Sequence, residues 1–167
     1  MGEFESLVQN EALQDPYTRK ITIRENFLHL SPLQNIITDT HYDERNRIGR
    51  HIVFIARVLA DYKPSLLRGI GFDRDVAVCF ELDGTACVYS DRNFKAHFLA
   101  VNDLNSTPEV ILQGTPLTWD NNKKAIENHE IIGDEDGSQC FNMNEWNPIG
   151  DSVFKYYYVV DGKVFFE

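Results

Sequence analysis

The sequence predicts an α/β fold organised around one strand–helix–strand unit, and three observations carry that reading. Residues 35–38 hold the β-branched run Ile36-Ile37-Thr38, the composition of a buried strand. Ile48, Ile52, Ile55 and Leu59 then recur at spacings of four, three and four, which lays one apolar stripe along a helix. A further apolar run at 67–72 follows a stop at Pro64. A strand, a helix and a strand in that order suggest one βαβ unit of an α/β sheet.

The remaining elements follow from local chemistry. The first 20 residues are polar and mixed, with Glu11-Ala12-Leu13 able to form a short helical turn before Asp15-Pro16. Short strands are predicted at 20–22 and 27–30 around the turn Arg24-Glu25-Asn26, and Pro32 breaks the chain after them. The helix is predicted to begin near Asp43-Glu44, whose charges suit a helix N-terminus, and to run to about Asp61. Strands at 76–82 and 85–90 flank the hairpin turn Asp83-Gly84. The last third is β-rich: short strands at 109–113 and 131–132, an exposed loop at 133–137, and a closing hairpin of 154–160 and 163–166 around Asp161-Gly162. No repeat or linker divides the chain. It reads as a single domain over 1–167, with an α/β part at 1–90 and a β-rich extension at 91–167.

The composition excludes several classes. Sixteen basic residues against 26 acidic ones give a formal charge of −10, which argues against nucleic acid and anionic membrane as partners. With 43% hydrophobic and 12% aromatic residues the chain can bury a core, so it is not disordered. No apolar run approaches the roughly 18 residues of a membrane span. The opening residues lack the basic and apolar regions of a signal peptide, so a cytoplasmic protein is expected. Met1-Gly2 with Ser6 fits the loose myristoylation pattern, but an ordinary start is the expectation. Cys79, Cys87 and Cys140 form no C-x-x-C pair. A two-residue turn would pair Cys79 with Val88 and Cys87 with Phe80, placing the two thiols on opposite faces. Buried, reduced thiols are therefore expected.

The stretch from Asp39 to Arg50 is the one that suggests chemistry. It lies where a strand ends and leads into the helix, the place where ligands bind in open α/β sheets. His41 beside Asp39 has the placement of a general base. On spacing alone the competing reading is a solvated helix face with an incidental histidine. Arg50 falls nearly opposite the apolar stripe and Arg47 to one side, so neither is a core position and both could face a cleft. The five histidines are scattered without metal-ligand spacing, so no zinc site is expected. Asp134-Glu135-Asp136 reads as a solvated turn rather than a calcium loop. Asn105-Ser106-Thr107 is a glycosylation sequon that matters only in a secretory pathway. Trp119, Trp146 and the Tyr156-Tyr157-Tyr158 run read as core or hairpin packing.

Asp39-Thr40-His41-Tyr42-Asp43-Glu44-Arg45-Asn46-Arg47-Ile48-Gly49-Arg50 resembles the D-Q-H-F-x-x-R-x-R-x-G-R motif of the cyanophycinases, serine peptidases related to dipeptidase E. Gly69-Ile70-Gly71-Phe72-Asp73-Arg74-Asp75-Val76-Ala77 is similar to that family's G-I-G-I-D-E-x-T-A, and Glu11-Ala12-Leu13-Gln14-Asp15-Pro16 to its E-A-L-x-N-P. Thr40 stands where the family has Gln, and Arg74 where it has an acidic residue. The resemblance implies a flavodoxin-like, class I glutamine-amidotransferase-like three-layer sandwich, present as its C-terminal portion. It implies His41 as general base, Glu11 as the acid that orients it, and Asp39, Thr40, Arg47 and Arg50 as the substrate pocket, with no metal or cofactor. The family's serine elbow lies upstream of its E-A-L segment, so this chain is expected to be inactive alone. The function implied is the C-terminal part of a serine peptidase cleaving β-aspartyl or aspartyl peptide bonds. Its partners would be a small aspartyl peptide or cyanophycin-like substrate, and a second copy or the missing N-terminal half. The rival is a non-catalytic peptide-binding or interaction module.

Overall fold

The computed structural model describes residues 9–23, 30–105 and 107–167. The turn at Arg24-Glu25-Asn26, most of the strand expected at 27–30, the Met1-Gly2 start and the centre of the Asn105 sequon lie outside the described residues.

The strand–helix–strand unit is present. Strand β1 (Ile36–Thr40) and strand β2 (Arg68–Phe72) pair in parallel, in the register Asp39 to Gly71, and helix α2 (Ile48–Tyr62) joins them. Ile52, Ile55 and Leu59 are buried along α2, as the stripe requires. The helix begins later than its acidic residues suggest. Residues 41–46 instead form turns, with His41 and Asn46 at positive φ, and Asn46 N–H donates to the Asp43 carbonyl. Gln9, on the short helix α1 (Gln9–Gln14), accepts a hydrogen bond from Gly49 N–H at 2.8 Å and so satisfies a first-turn amide of α2 from outside. Lys63 in the left-handed region closes the helix ahead of Pro64.

Beyond β2 the expected architecture fails. A flavodoxin-like sandwich needs helices on both faces of a mostly parallel sheet, and the described residues form two packed sheets with one helical layer. The six-stranded sheet runs β1-β2-β5-β6-β9-β10, with β5 (Lys95–Val101), β6 (Ile126–Ile132), β9 (Val153–Val160) and β10 (Lys163–Phe166) all antiparallel to their neighbours. The second sheet holds β3 (Val76–Phe80), β4 (Thr85–Ser90), β7 (Gln139–Asn142) and β8 (Asn147–Ile149). The physical reason is that no second amphipathic helix follows α2 among the described residues, and a parallel crossover needs one. Helices α1 and α2 cover one face of the large sheet through Leu13, Ile52, Ile55, Leu59, Leu99 and Ile126. The small sheet covers the other through Ile70, Phe98, Val88 and Phe141. β5 pairs with β2, so the large sheet runs unbroken from the first 90 residues into the remainder.

Smaller expectations also change. Residues 20–22 are not a strand, and 109–113 contributes only the bridge of Val110 to Thr118. The β3–β4 hairpin closes with Glu81 N–H donating to the Thr85 carbonyl, one residue away from the two-residue turn, so Cys79 lies opposite Cys87. A one-residue slip of register changes which residues share a face. Cys87 in turn lies opposite Cys140 on β7, and these two form a disulfide. The reduced-thiol expectation is thus corrected: Cys79 is free and exposed rather than buried. Trp119 and Trp146 are buried in the two cores.

Close approach of two side chains explains the glycines of the G-I-G run. A Cβ on Gly69 would stand 2.8 Å from His51 Nε2, and one on Gly71 would overlap the Tyr42 ring. Their absent side chains make the room that lets a histidine and a tyrosine lie against β2.

Candidate functional site at the end of strand β1

Three groups of polar side chains meet where β1 ends. The innermost is a buried ion cluster. Asp39 is 5% exposed and faces α2, where Arg50 Nε donates to its Oδ2 at 2.7 Å and Arg50 Nη2 donates to its Oδ1. Arg47 Nη1 lies 3.6 Å from Asp39 Oδ1 and donates to the Thr40 carbonyl at 2.7 Å. Burial, and then the neighbouring Arg50 charge, push the Arg47 guanidinium below its ordinary value. Asp39, Thr40, Arg47 and Arg50, all assigned by resemblance to the substrate, are thus brought together. Two guanidinium groups against one carboxylate leave the cluster one formal positive charge.

Beneath it lies a buried tyrosine–histidine pair. His51 is fully buried; its Nε2 lies 2.9 Å from the Ile37 carbonyl and its Nδ1 lies 3.0 Å from Tyr42 Oη. A carbonyl can only accept, so Nε2–H donates to it and Nδ1 accepts from the tyrosine. Burial holds this imidazole neutral, lowering its pKa to about 4.

The outermost element is His41. It sits immediately past β1 at positive φ, with its side chain 38% exposed, and its Nδ1 lies 3.0 Å from Glu44 Oε2. The hydrogen bond to His41 keeps the Glu44 carboxyl below its ordinary range. An ionised carboxylate only accepts, so Nδ1 carries the proton and the Nε2 lone pair is the basic one. Arg74 Nη1 stands 3.6 Å from the other Glu44 oxygen. Glu11 does not take the orienting part: its carboxylate is held by Lys20 Nζ at 2.8 and 3.0 Å. Among the described residues no serine hydrogen-bonds to His41.

A fourth cluster, which sequence reasoning missed, lies on the helix side of the sheet next to this turn. Asp43, Asp73 and His97 each direct one ligand-type atom to within 4.8 Å of the others. The Tyr42 ring packs on the His97 ring at 4.7 Å between centroids. Lys95 Nζ bridges Asp43 Oδ2 and Glu130 Oε2 at 3.4 and 3.5 Å, and Glu130 also accepts from Lys155 at 2.6 Å. Burial alone would raise the Glu130 carboxyl, but the Lys155 hydrogen bond and the His97 and Lys95 charges bring it below its ordinary value. The only sequence signal was that Asp43 and Asp73 each follow a strand closely. His97 comes from β5, an apolar run without alternation whose partners β2 and β6 are distant in sequence.

No family model matches this sequence, and no curated protein matches it. Among the described residues no helix is long and apolar enough to cross a membrane.

Proposed function

We propose that this chain carries the general-base and substrate-orienting part of a serine-type hydrolase acting on β-aspartyl or aspartyl peptide bonds, as its resemblance to the cyanophycinases implies. The observation that carries the reading is His41 itself. It is exposed at the C-terminal end of β1, its Nδ1 is engaged by Glu44, and its Nε2 lone pair is left to take a proton. Glu44 replaces Glu11 as the group that fixes the tautomer. The Asp39, Arg47 and Arg50 cluster directly behind provides a rigid, residually positive floor suited to a substrate carboxylate. The nucleophile comes from outside the described residues.

The test uses the chain as it stands. A β-aspartyl dipeptide titrated into the protein should shift the His41 ring resonances saturably, without hydrolysis, and Glu44→Gln should weaken that response. Absence of any response at His41 would contradict the reading. Turnover abolished by mutating one of the chain's own serines would overturn the division of labour.

A further inference from the structure

We propose that Asp43, Asp73 and His97 form a binding site for a divalent transition-metal ion, a site independent of the hydrolase reading. Asp73 follows β2 directly, and its carboxylate is fixed by two backbone amides: Asp43 N–H donates to Oδ1 at 2.8 Å and Lys95 N–H donates to Oδ2 at 3.1 Å. One fold feature therefore joins the turn after β1, the end of β2 and the start of β5 around a single carboxylate. Each of its oxygens retains a lone pair beyond the one its amide occupies.

The decisive group is His97. Its residue is 2% exposed, and its Nε2 is buried with no hydrogen-bond partner. That atom faces Asp43 Oδ1 across 3.7 Å, too long for a hydrogen bond and suited to an intervening ion. A buried nitrogen left unpaired carries a desolvation penalty, which coordination removes. The other ring nitrogen, Nδ1, lies 3.4 Å from the Asn128 amide nitrogen, while Asn128 Oδ1 is itself buried without a partner. Turning that amide over lets Nδ1–H donate to Oδ1, which frees the Nε2 lone pair for a metal. Ligating histidines are usually anchored in this manner through their second nitrogen.

The surroundings suit a cation and define its class. Three carboxylates (Asp43, Asp73, Glu130) against two ammonium groups (Lys95, Lys155) leave one formal negative charge. Asp43 is half-exposed, which gives an ion and its waters a way in. One imidazole nitrogen with two carboxylate oxygens matches zinc, cobalt or manganese, whereas calcium and magnesium take oxygen donors. Lys95 is the internal competitor: an arriving ion displaces its ammonium from Asp43 toward Glu130.

Metal-free protein titrated with Zn²⁺, and separately with Co²⁺ while recording the visible spectrum, tests the site. Saturable binding of one ion is expected, retained in Cys79→Ser and weakened at least about tenfold in Asp43→Asn. Asp43 is exposed enough that the latter variant folds, and its melting temperature in chelator verifies this. Lys95→Met should bind more tightly than the parent. Failure of either ion to saturate, equal affinity in Asp43→Asn, or Mg²⁺ binding as tightly as Zn²⁺ would overturn the proposal.

Discussion

Asp39 and Asp43 stand four residues apart on either side of one turn, yet their surroundings obey opposite rules. Asp39 is buried and accepts from Arg50 through both oxygens, and Arg47 is drawn in through Thr40. Asp43 is half-exposed, and it faces a histidine nitrogen that has no hydrogen-bond partner. A closed, fully partnered charge cluster holds β1 to α2. An open one with an orphaned buried atom is poised for a ligand. Proximity to a strand end therefore does not by itself identify a metal site; unsatisfied bonding capacity does.

The largest effect should come from opening the closed cluster. Asp39→Ala leaves two largely buried guanidinium groups without their carboxylate and should cost about 3–5 kcal/mol, read from denaturant unfolding. A loss below about 1 kcal/mol would mean that the arginines have other support, and the contrast with Asp43 would weaken.

The His51 pair beneath should give stability its acid limb. The unfolded imidazole has a pKa of 6.5 and the folded one about 4, so between these values the unfolded chain binds the extra proton. This contribution is complete above pH 6.5 and is lost as the pH falls toward 4, a difference of about 3 kcal/mol. His97, also lowered by burial, acts in the same direction. His51→Gln should flatten most of this slope, and an unchanged slope would place the acid sensitivity elsewhere.

The smallest stability effect belongs to His41, exposed just past β1. His41→Ala removes a positive-φ side chain whose partner, Glu44, is itself exposed, so the melting temperature should barely move while binding of a β-aspartyl dipeptide, read by calorimetry, weakens. A large destabilisation would make His41 a structural residue.

What the sequence made legible divides along physical lines. The α2 stripe, β1, β2, β4 and the closing hairpin were readable because each carries its own period or turn residues. The antiparallel remainder was not. β5 is an apolar run without period-2 alternation, which periodicity alone does not assign to a strand, and the architecture depends on pairings such as His97 with Gly71 and Glu130, between residues 26 and 33 positions distant. The Cys87–Cys140 disulfide depends on β4 pairing with β7, across a sequence separation of 53, and no local pattern carries that pairing. Motif reading singled out Asp39, Arg47, Arg50 and His41 because they share one segment, which the structure brings to the end of β1. It assigned Glu11, whose carboxylate is engaged by Lys20, and passed over Glu44, which contacts His41 from three residues on. Asp73 and His97 join Asp43 only through tertiary structure.

Thermal unfolding of the parent, Asp39→Asn and Asp43→Asn, each with chelator and with saturating Zn²⁺, compares the two clusters in one measurement. In chelator Asp39→Asn should melt well below the parent, while Asp43→Asn stays within about 0.5 kcal/mol of it. Zinc should then raise the melting temperature of the parent and of Asp39→Asn, and leave Asp43→Asn unmoved. A zinc response that survives in Asp43→Asn, or a chelated Asp43→Asn as unstable as Asp39→Asn, would contradict the assignment of the fold-holding carboxylate to Asp39 and of the metal to Asp43.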